Sequence, residues 1–591
     1  MPVDSILPLL AVAIPAIAIP LILALGRRPN VREGVTLTAA FATFATVASM
    51  VPDVLDGAAY ETDLGTFLST GLGDPIGFTL QADRLGVLFA LLASFLWIAT
   101  SFYSIGYMRG LDEHDQTRFF AAFAASIASA MGVAFGANLV TLFVFYEVLS
   151  IATYPLVAHD ESEEAIWAGR KYLLYTLGGG VAVLAGTVMV YALTGTTTFQ
   201  AGGIAALTED PMMARVAFAL LVGGFGVKAA LMPFHSWLPD AMVAPTPVSA
   251  LLHAVAVVKS GVFGIARVVL EVYGPGAIQD LGVGIALATV AAITLVTASI
   301  IALKQDNLKR RLAYSTVSQL SYIVLGLGLA SPAALVGALL HIPAHAFMKI
   351  TLFFCAGAIH VETHTDDISD MAGIGKRMPL TMSAFAVAAA GMAGMPLLAG
   401  FVSKWYLLVG AVELDLAIFA VVLLVSGVLN VAYYWPIVYQ AFFEDEHHPD
   451  PKPLLEFPPG GLTSSETGVE ASAARTNGGR HLAATVEPTG AAVDTDADES
   501  ASVQSDGAGH DHEESVADTD VADDHASSHG GGHTADSGWE RRSWRTESTW
   551  FMLGPIVLAA VGAVVLGLVP GHVVFLELIE HIVDVATEVT H

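Results

Sequence analysis

Apolar residues run along this chain in blocks of about 20, the length a helix needs to cross the hydrocarbon core of a bilayer. Blocks near 5–26, 33–52, 82–106, 118–136, 138–158, 172–194, 214–232, 243–270, 281–303, 311–329, 332–358, 380–402, 411–441 and 549–570 predict about 14 transmembrane helices. The expected fold class is therefore an all-α polytopic membrane protein. The opening MPVDSILPLL has neither a basic start nor a small-residue cleavage site, so 5–26 is expected to be a retained span.

The polar positions between blocks orient the chain. Arg27, Arg28 and Arg32, then Arg109 and Arg118, Arg170 and Lys171, Lys304 with Lys309, Arg310 and Arg311, and Lys376 with Arg377 fall in alternate loops. Cytoplasmic loops collect lysine and arginine, so these loops are expected inside and both termini outside. The intervening loops, near 53–80, 195–212, 272–280 and 330, are almost free of basic residues.

Composition agrees: 54% of the 591 residues are hydrophobic and 14% charged, against about 25% charged in a soluble domain. The net charge of −29 lies mostly in one stretch. Residues 444–540 hold 22 acidic and 3 basic side chains. That segment, with its Ser, Gly and Ala, lacks the apolar surface to offset ordering entropy. It predicts a disordered, cytoplasmic, His-containing insert over 444–545, whose His510, His512, His525, His529 and His533 read as a solvated low-complexity run. Such acidity excludes nucleic acid as a partner and suits a high-salt, halophilic interior. The single cysteine, Cys355, excludes disulfides and a four-cysteine cluster within the chain. Four regions follow: N-terminal helices 1–106, a translocating core 107–443, the insert 444–545, and a last span with its tail, 546–591.

Charge inside a span costs roughly 2.5–3.5 kcal/mol on insertion scales, so each such residue needs a reason. Glu147 sits mid-span in FVFYEVLSIA, either as a protonatable carboxylate or as the partner of a buried lysine. Lys228 lies in a glycine-rich span five residues before Pro233, where proline removes a donor and breaks the helix. His253 and Lys259 follow, about 120° apart on a regular helix. His341, His345 and Lys349 recur at every fourth position, which places imidazoles and amine on one helix face. Lys404 follows the interruption at Pro396. Paired lysine-bearing interrupted spans point to an inverted-repeat transporter. Ser315, Ser318, Gln319 and Ser321 either line a hydrated path or hydrogen-bond between helices. Gly178, Gly179 and Gly180 read as helix packing. No phosphate loop, dinucleotide fingerprint or Cys-x-x-Cys is present, so no catalytic site, metal site or cofactor is expected in this chain.

The block KAALMPFHSWLPDAMVAPTPVSALLHAVAVVKSG, with LAYSTVSQLSYIVLG, HAFMK and GFVSKW, resembles the antiporter-like proton-conducting subunits of respiratory complex I, membrane-bound hydrogenases and Mrp-type cation/proton antiporters. The resemblance runs from roughly residue 80 to 440 and is strongest to the D-type subunits of Mrp antiporters. It implies two inverted five-helix repeats with broken helices, and a polar axis along the membrane midplane. It implies a proton pathway through Glu147, Lys228, Lys259, Lys349 and Lys404, joined by His253, His341 and His345, with helix breaks at Pro233 and Pro396. It further implies a plasma-membrane location, other membrane subunits as partners, and exchange of protons for Na+ or K+. A pump subunit of an NADH:quinone oxidoreductase or hydrogenase is the alternative.

Overall fold

The computed structural model describes residues 2–69, 71, 73–445 and 539–588. Helices dominate. The first half comprises α1 (Leu7–Ala24), α2 (Pro29–Leu55), α3 (Arg84–Gly110), α4 (Gln116–Phe135), α5 (Leu139–Val157), α6 (Glu163–Thr194) and α7 (Pro211–Lys228). Short helices α8 (Trp237–Asp240), α9 (Thr246–Ala250), α10 (Val257–Arg267) and α11 (Gly274–Asp280) follow. Next come α12 (Val283–Leu303), α13 (Leu308–Leu329), α14 (Pro332–Thr363), α15 (Pro379–Ala393), α16 (Ala399–Glu413) and α17 (Ala417–Phe443). After the insert stand α18 (Trp550–Leu568) and α19 (Val574–Glu588). Thirteen helical segments are long and apolar enough to cross a bilayer. The fourteenth expected span is the interrupted pair α15–α16, which continues past the expected end at 402 to Glu413. The blocks 118–136 and 138–158 are two helices, separated where Asn138 caps α5 by accepting from the Thr141 amide at 2.8 Å. Ser162, Asn307 and Ser331 start α6, α13 and α14 in the same way, each supplying a lone pair to an amide that the helix cannot satisfy.

Burial grades outward. The stretch Thr246–Asp280 and α14 are enclosed on all sides, and α13 nearly so. The flanks of α6 and α17 expose Leu174 (73%), Val181 (68%) and Val428 (69%). So much apolar side-chain surface is unfavourable against water and costs nothing against lipid tails. The chain is thus a multi-pass membrane protein with an enclosed centre. Close helix contacts use small residues: a β-carbon on Gly224 would lie 2.5 Å from the Gly179 carbonyl.

Three features depart from the sequence reading. Residues 53–80, expected as a loop, include a hairpin of β2 (Tyr60–Leu68) and β3 (Ile76–Ala82), to which β1 (Val3–Asp4) adds in parallel. The tail expected after 570 is the amphipathic helix α19, packed on α3, α11 and α14. The far end of the expected insert, 539–545, packs on the bundle: Trp539 is buried and its indole donates to the Ala372 carbonyl at 2.8 Å. Acid-rich composition, averaged over the segment, hid two tryptophans at its end. Residues 446–538 lie outside the described residues. β1 meets the hairpin after α2, and Gly57, Gln81, Asp83, Ile582 and Ala586 line one 260 Å³ cavity. Both ends of the described chain therefore sit on one face.

Candidate functional site: a buried lysine and histidine axis

Backbone breaks place the site. α7 ends at Lys228, and the chain runs irregularly through Pro233 to α8. α15 ends at Ala393, passes Pro396 in the break, and resumes as α16, which carries Lys404. Irregular backbone at this depth persists only inside protein or beside a polar cavity. Gly261 of α10 lets the centre approach the first break: a β-carbon there would lie 2.4 Å from the Ala229 amide nitrogen.

Lys228 is fully buried and donates to the Tyr146 carbonyl at 2.5 Å, with its Nζ 3.4 Å from the Tyr146 ring centroid. Glu147 is the next residue, within the lysine's field. Its Oε1 is buried with no hydrogen-bond partner among the described residues, and no ion pair with Lys228 closes there. The carboxylate fits against α6 because residue 180 is glycine; a β-carbon there would lie 2.1 Å from Oε1. Of the three neighbouring glycines, Gly179 serves helix packing, whereas Gly180 serves Glu147.

The middle of the axis is a run of closely spaced polar side chains. Lys259 Nζ bonds to His345 Nδ1. The His345 and His341 rings lie 6.1 Å apart. His341 then reaches Ser403 Oγ at 2.8 Å and Gln319 Oε1 at 3.0 Å. Gln319 leads to the Met392 carbonyl at 3.5 Å, which accepts from Lys404 Nζ at 2.6 Å. Met392 is the second-last residue of α15, so its carbonyl belongs to the set that a helix end leaves unpaired, with the negative end of the helix dipole facing the amine. Lys404 also lies 4.5 Å from the Tyr322 ring centroid. One turn beyond His345, Lys349 donates to Ser315 Oγ at 2.5 Å, Leu312 O at 3.1 Å and Tyr434 OH at 3.1 Å.

His253 departs from the regular-helix geometry. Leu251–Val255 is π-helical, as is Val268–Tyr273. The inserted residue alters the 120° separation of His253 from Lys259, and both face α14. His253 Nδ1 meets Thr316 Oγ1 at 3.0 Å and its ring packs on Phe353 of α14, while Lys259 meets His345 of α14. Such single π turns occur often at functional sites.

The other buried charges are of a different kind. Arg267 bonds both oxygens of Asp83 and Glu271 Oε2. Arg109 pairs with Glu33, and Glu547 accepts from the Leu380 and Thr381 amides at 2.8 Å, capping α15. Among the described residues Lys228, Lys259, Lys349 and Lys404 make no ion pair with a carboxylate. Sequence reasoning left Ser315 and Gln319 open, and the structure puts both on the axis. It missed Tyr322, Tyr434, Ser403, which adjoins Lys404, and Asn430, which donates to the Met392 carbonyl at 3.2 Å.

Comparison with known proteins identifies the family of the chain. Residues 136–430 match the family described as NADH:quinone oxidoreductase/Mrp antiporter, transmembrane. NADH-quinone oxidoreductase subunit N of Desulforudis audaxviator is 35% identical over 456 residues, covering 75% of this chain and 89% of that one. The A/B component of a probable K+/H+ antiporter of Rhizobium meliloti is 35% identical over 412 residues, covering 68% of this chain. This chain spans only 40% of that relative's length. A chain of the Mrp complex from Dietzia sp. superposes with a TM-score of 0.74 at 22% identity, covering 99% of this chain and 98% of that one. The protein belongs to the NADH:quinone oxidoreductase/Mrp antiporter transmembrane family.

Proposed function

We propose that this chain is the ion-translocating subunit of a multisubunit Na+ or K+/proton antiporter. Protons travel along Glu147, Lys228, Lys259, His345, Lys349, His341 and Lys404, with His253 beside the junction. The observation that carries this reading is the contrast in pairing. Arg109 and Arg267 are matched by carboxylates, while among the described residues the four axis lysines hydrogen-bond only to neutral oxygens and nitrogens. An amine without a counter-ion in a dry site is readily deprotonated, and a change at one station alters the next by Coulomb coupling. Fixed ion pairs hold helices together; unpaired amines and imidazoles exchange protons.

In this reading residues 107–443 form two inverted repeats around the breaks at Pro233 and Pro396. The chain sits in the plasma membrane beside other membrane subunits, with the basic loops and acidic insert in the cytoplasm and both termini outside. Antiporter relatives and the Mrp-complex fold support this reading. The coverage of 89% of a quinone oxidoreductase subunit favours a second one, a redox-driven pump subunit.

Inverted vesicles expressing the chain with its genomic neighbours separate the two. A pH gradient is imposed by ammonium, so no respiration is needed. Collapse of the gradient on adding Na+ or K+ supports the antiporter; a response only after an electron donor is supplied supports the pump.

A further inference from the structure

Away from the axis, three metal-ligating side chains converge where the loop joining α3 to α4 meets the turn after α5. Glu113, His114 and His159 bring one ligand atom each to within 4.8 Å of one another. His159 is fully buried, and both of its ring nitrogens lack a hydrogen-bond partner among the described residues. A buried polar atom without a partner is unfavourable, so this ring is open to a ligand. Its ring stacks on His114 at 4.9 Å. His114 and Glu113 keep 43% and 22% of their side chains exposed and already lie 3.7 Å apart, while His114 Nε2 meets the His159 carbonyl at 3.0 Å.

We propose that Glu113, His114 and His159 bind a divalent transition-metal ion of the zinc class. Two imidazoles and one carboxylate are borderline donors that select such ions over calcium or magnesium. Three protein ligands leave a fourth position open. A metal needs the imidazole lone pair, and the unpartnered ring nitrogens of His159 face the other two ligands. Arg118 is itself neutralised by Asp115 and Glu161, and Asp160 adds a further negative charge nearby. An ion here fastens the α3–α4 connection to the end of the helix that carries Glu147. Sequence reasoning saw no such site because His159 lies 45 residues from His114.

The test is a thermal unfolding series on the full chain in detergent, with and without added Zn2+, using wild type, His114→Ala and Glu113→Gln. Both substitutions fall on partly exposed side chains and are expected to fold. A ligand bound to the folded state raises the unfolding midpoint; zinc held only by histidines of the insert does not stabilise the bundle. The expected result is a zinc-dependent rise in wild type that both variants lose, with unchanged midpoints in the absence of metal. Titration with Co2+ should show one fewer bound ion in each variant. A rise that survives both substitutions, or no rise in wild type, overturns the proposal.

Discussion

Lys259 Nζ and His345 Nδ1 face each other directly across the junction of α10 and α14. Only one of the two atoms can hold the bridging proton: a protonated lysine donates to a bare Nδ1, or a protonated Nδ1 donates to a neutral amine. Proton passage along the axis therefore requires Lys259 to lose its charge at some point in the cycle.

Arginine cannot do so. Lys259→Arg keeps the charge and removes the exchange, so it is expected to lower cation-linked proton flux roughly a hundredfold, the scale of a lost proton-transfer group. Flux in vesicles, normalised to protein in the membrane, reads this out; near wild-type flux would show that Lys259 serves as a fixed charge.

Gly180 positions the carboxylate of Glu147 by leaving room for it. Gly180→Ala places a β-carbon 2.1 Å from Oε1, and the flexible carboxylate moves aside at little expense in stability. Misplacing a reacting group by about 1 Å can lose roughly a hundredfold in rate. Gly180→Ala is thus expected to fold normally and transport poorly, while Gly178→Ala, with nothing within 4 Å of its β-carbon, transports normally. Equal flux in the two variants would contradict this.

Unlike the lysines, Arg267 is expected to matter for stability. Arg267→Met leaves Asp83 and Glu271 without their partner and should destabilise by about 3 kcal/mol, the low end of the range because Asp83 is partly exposed. Lys349→Met removes an amine that has no carboxylate partner and should leave the unfolding midpoint unchanged or higher. Thermal unfolding in detergent distinguishes the two, and a larger loss for Lys349→Met would reverse the assignment.

Trp539 anchors the segment that returns from the insert. Trp539→Ala removes a buried ring and its bond to Ala372 and is expected to destabilise by about 3 kcal/mol, seen as a lower unfolding midpoint. An unchanged midpoint would mean the contact contributes nothing to the bundle.

The spans were legible because lipid imposes a length and a polarity that composition reveals directly. The axis residues were legible for the same reason, since Glu147, Lys228, Lys259, Lys349 and Lys404 stand out against apolar surroundings. The histidine stripe at 341 and 345 followed from helical spacing alone. What stayed hidden depends on chain segments far apart in sequence. Gly180 has meaning only once Glu147 of α5 packs against it, and the role of Met392 O requires the end of α15. The π turn at Leu251–Val255 has no periodic signal. Arg267 was not singled out, because its partner Asp83 lies 184 residues earlier.

The most direct measurement is proton flux through the Lys349→Met variant, in vesicles with the ammonium-imposed gradient and saturating Na+ or K+. Methionine nearly matches lysine in size and packs in the same space, so the chain should reach the membrane intact. Abolished exchange, with wild-type amounts of folded protein, is the expected result. Undiminished exchange would show that protons do not travel along the buried lysines.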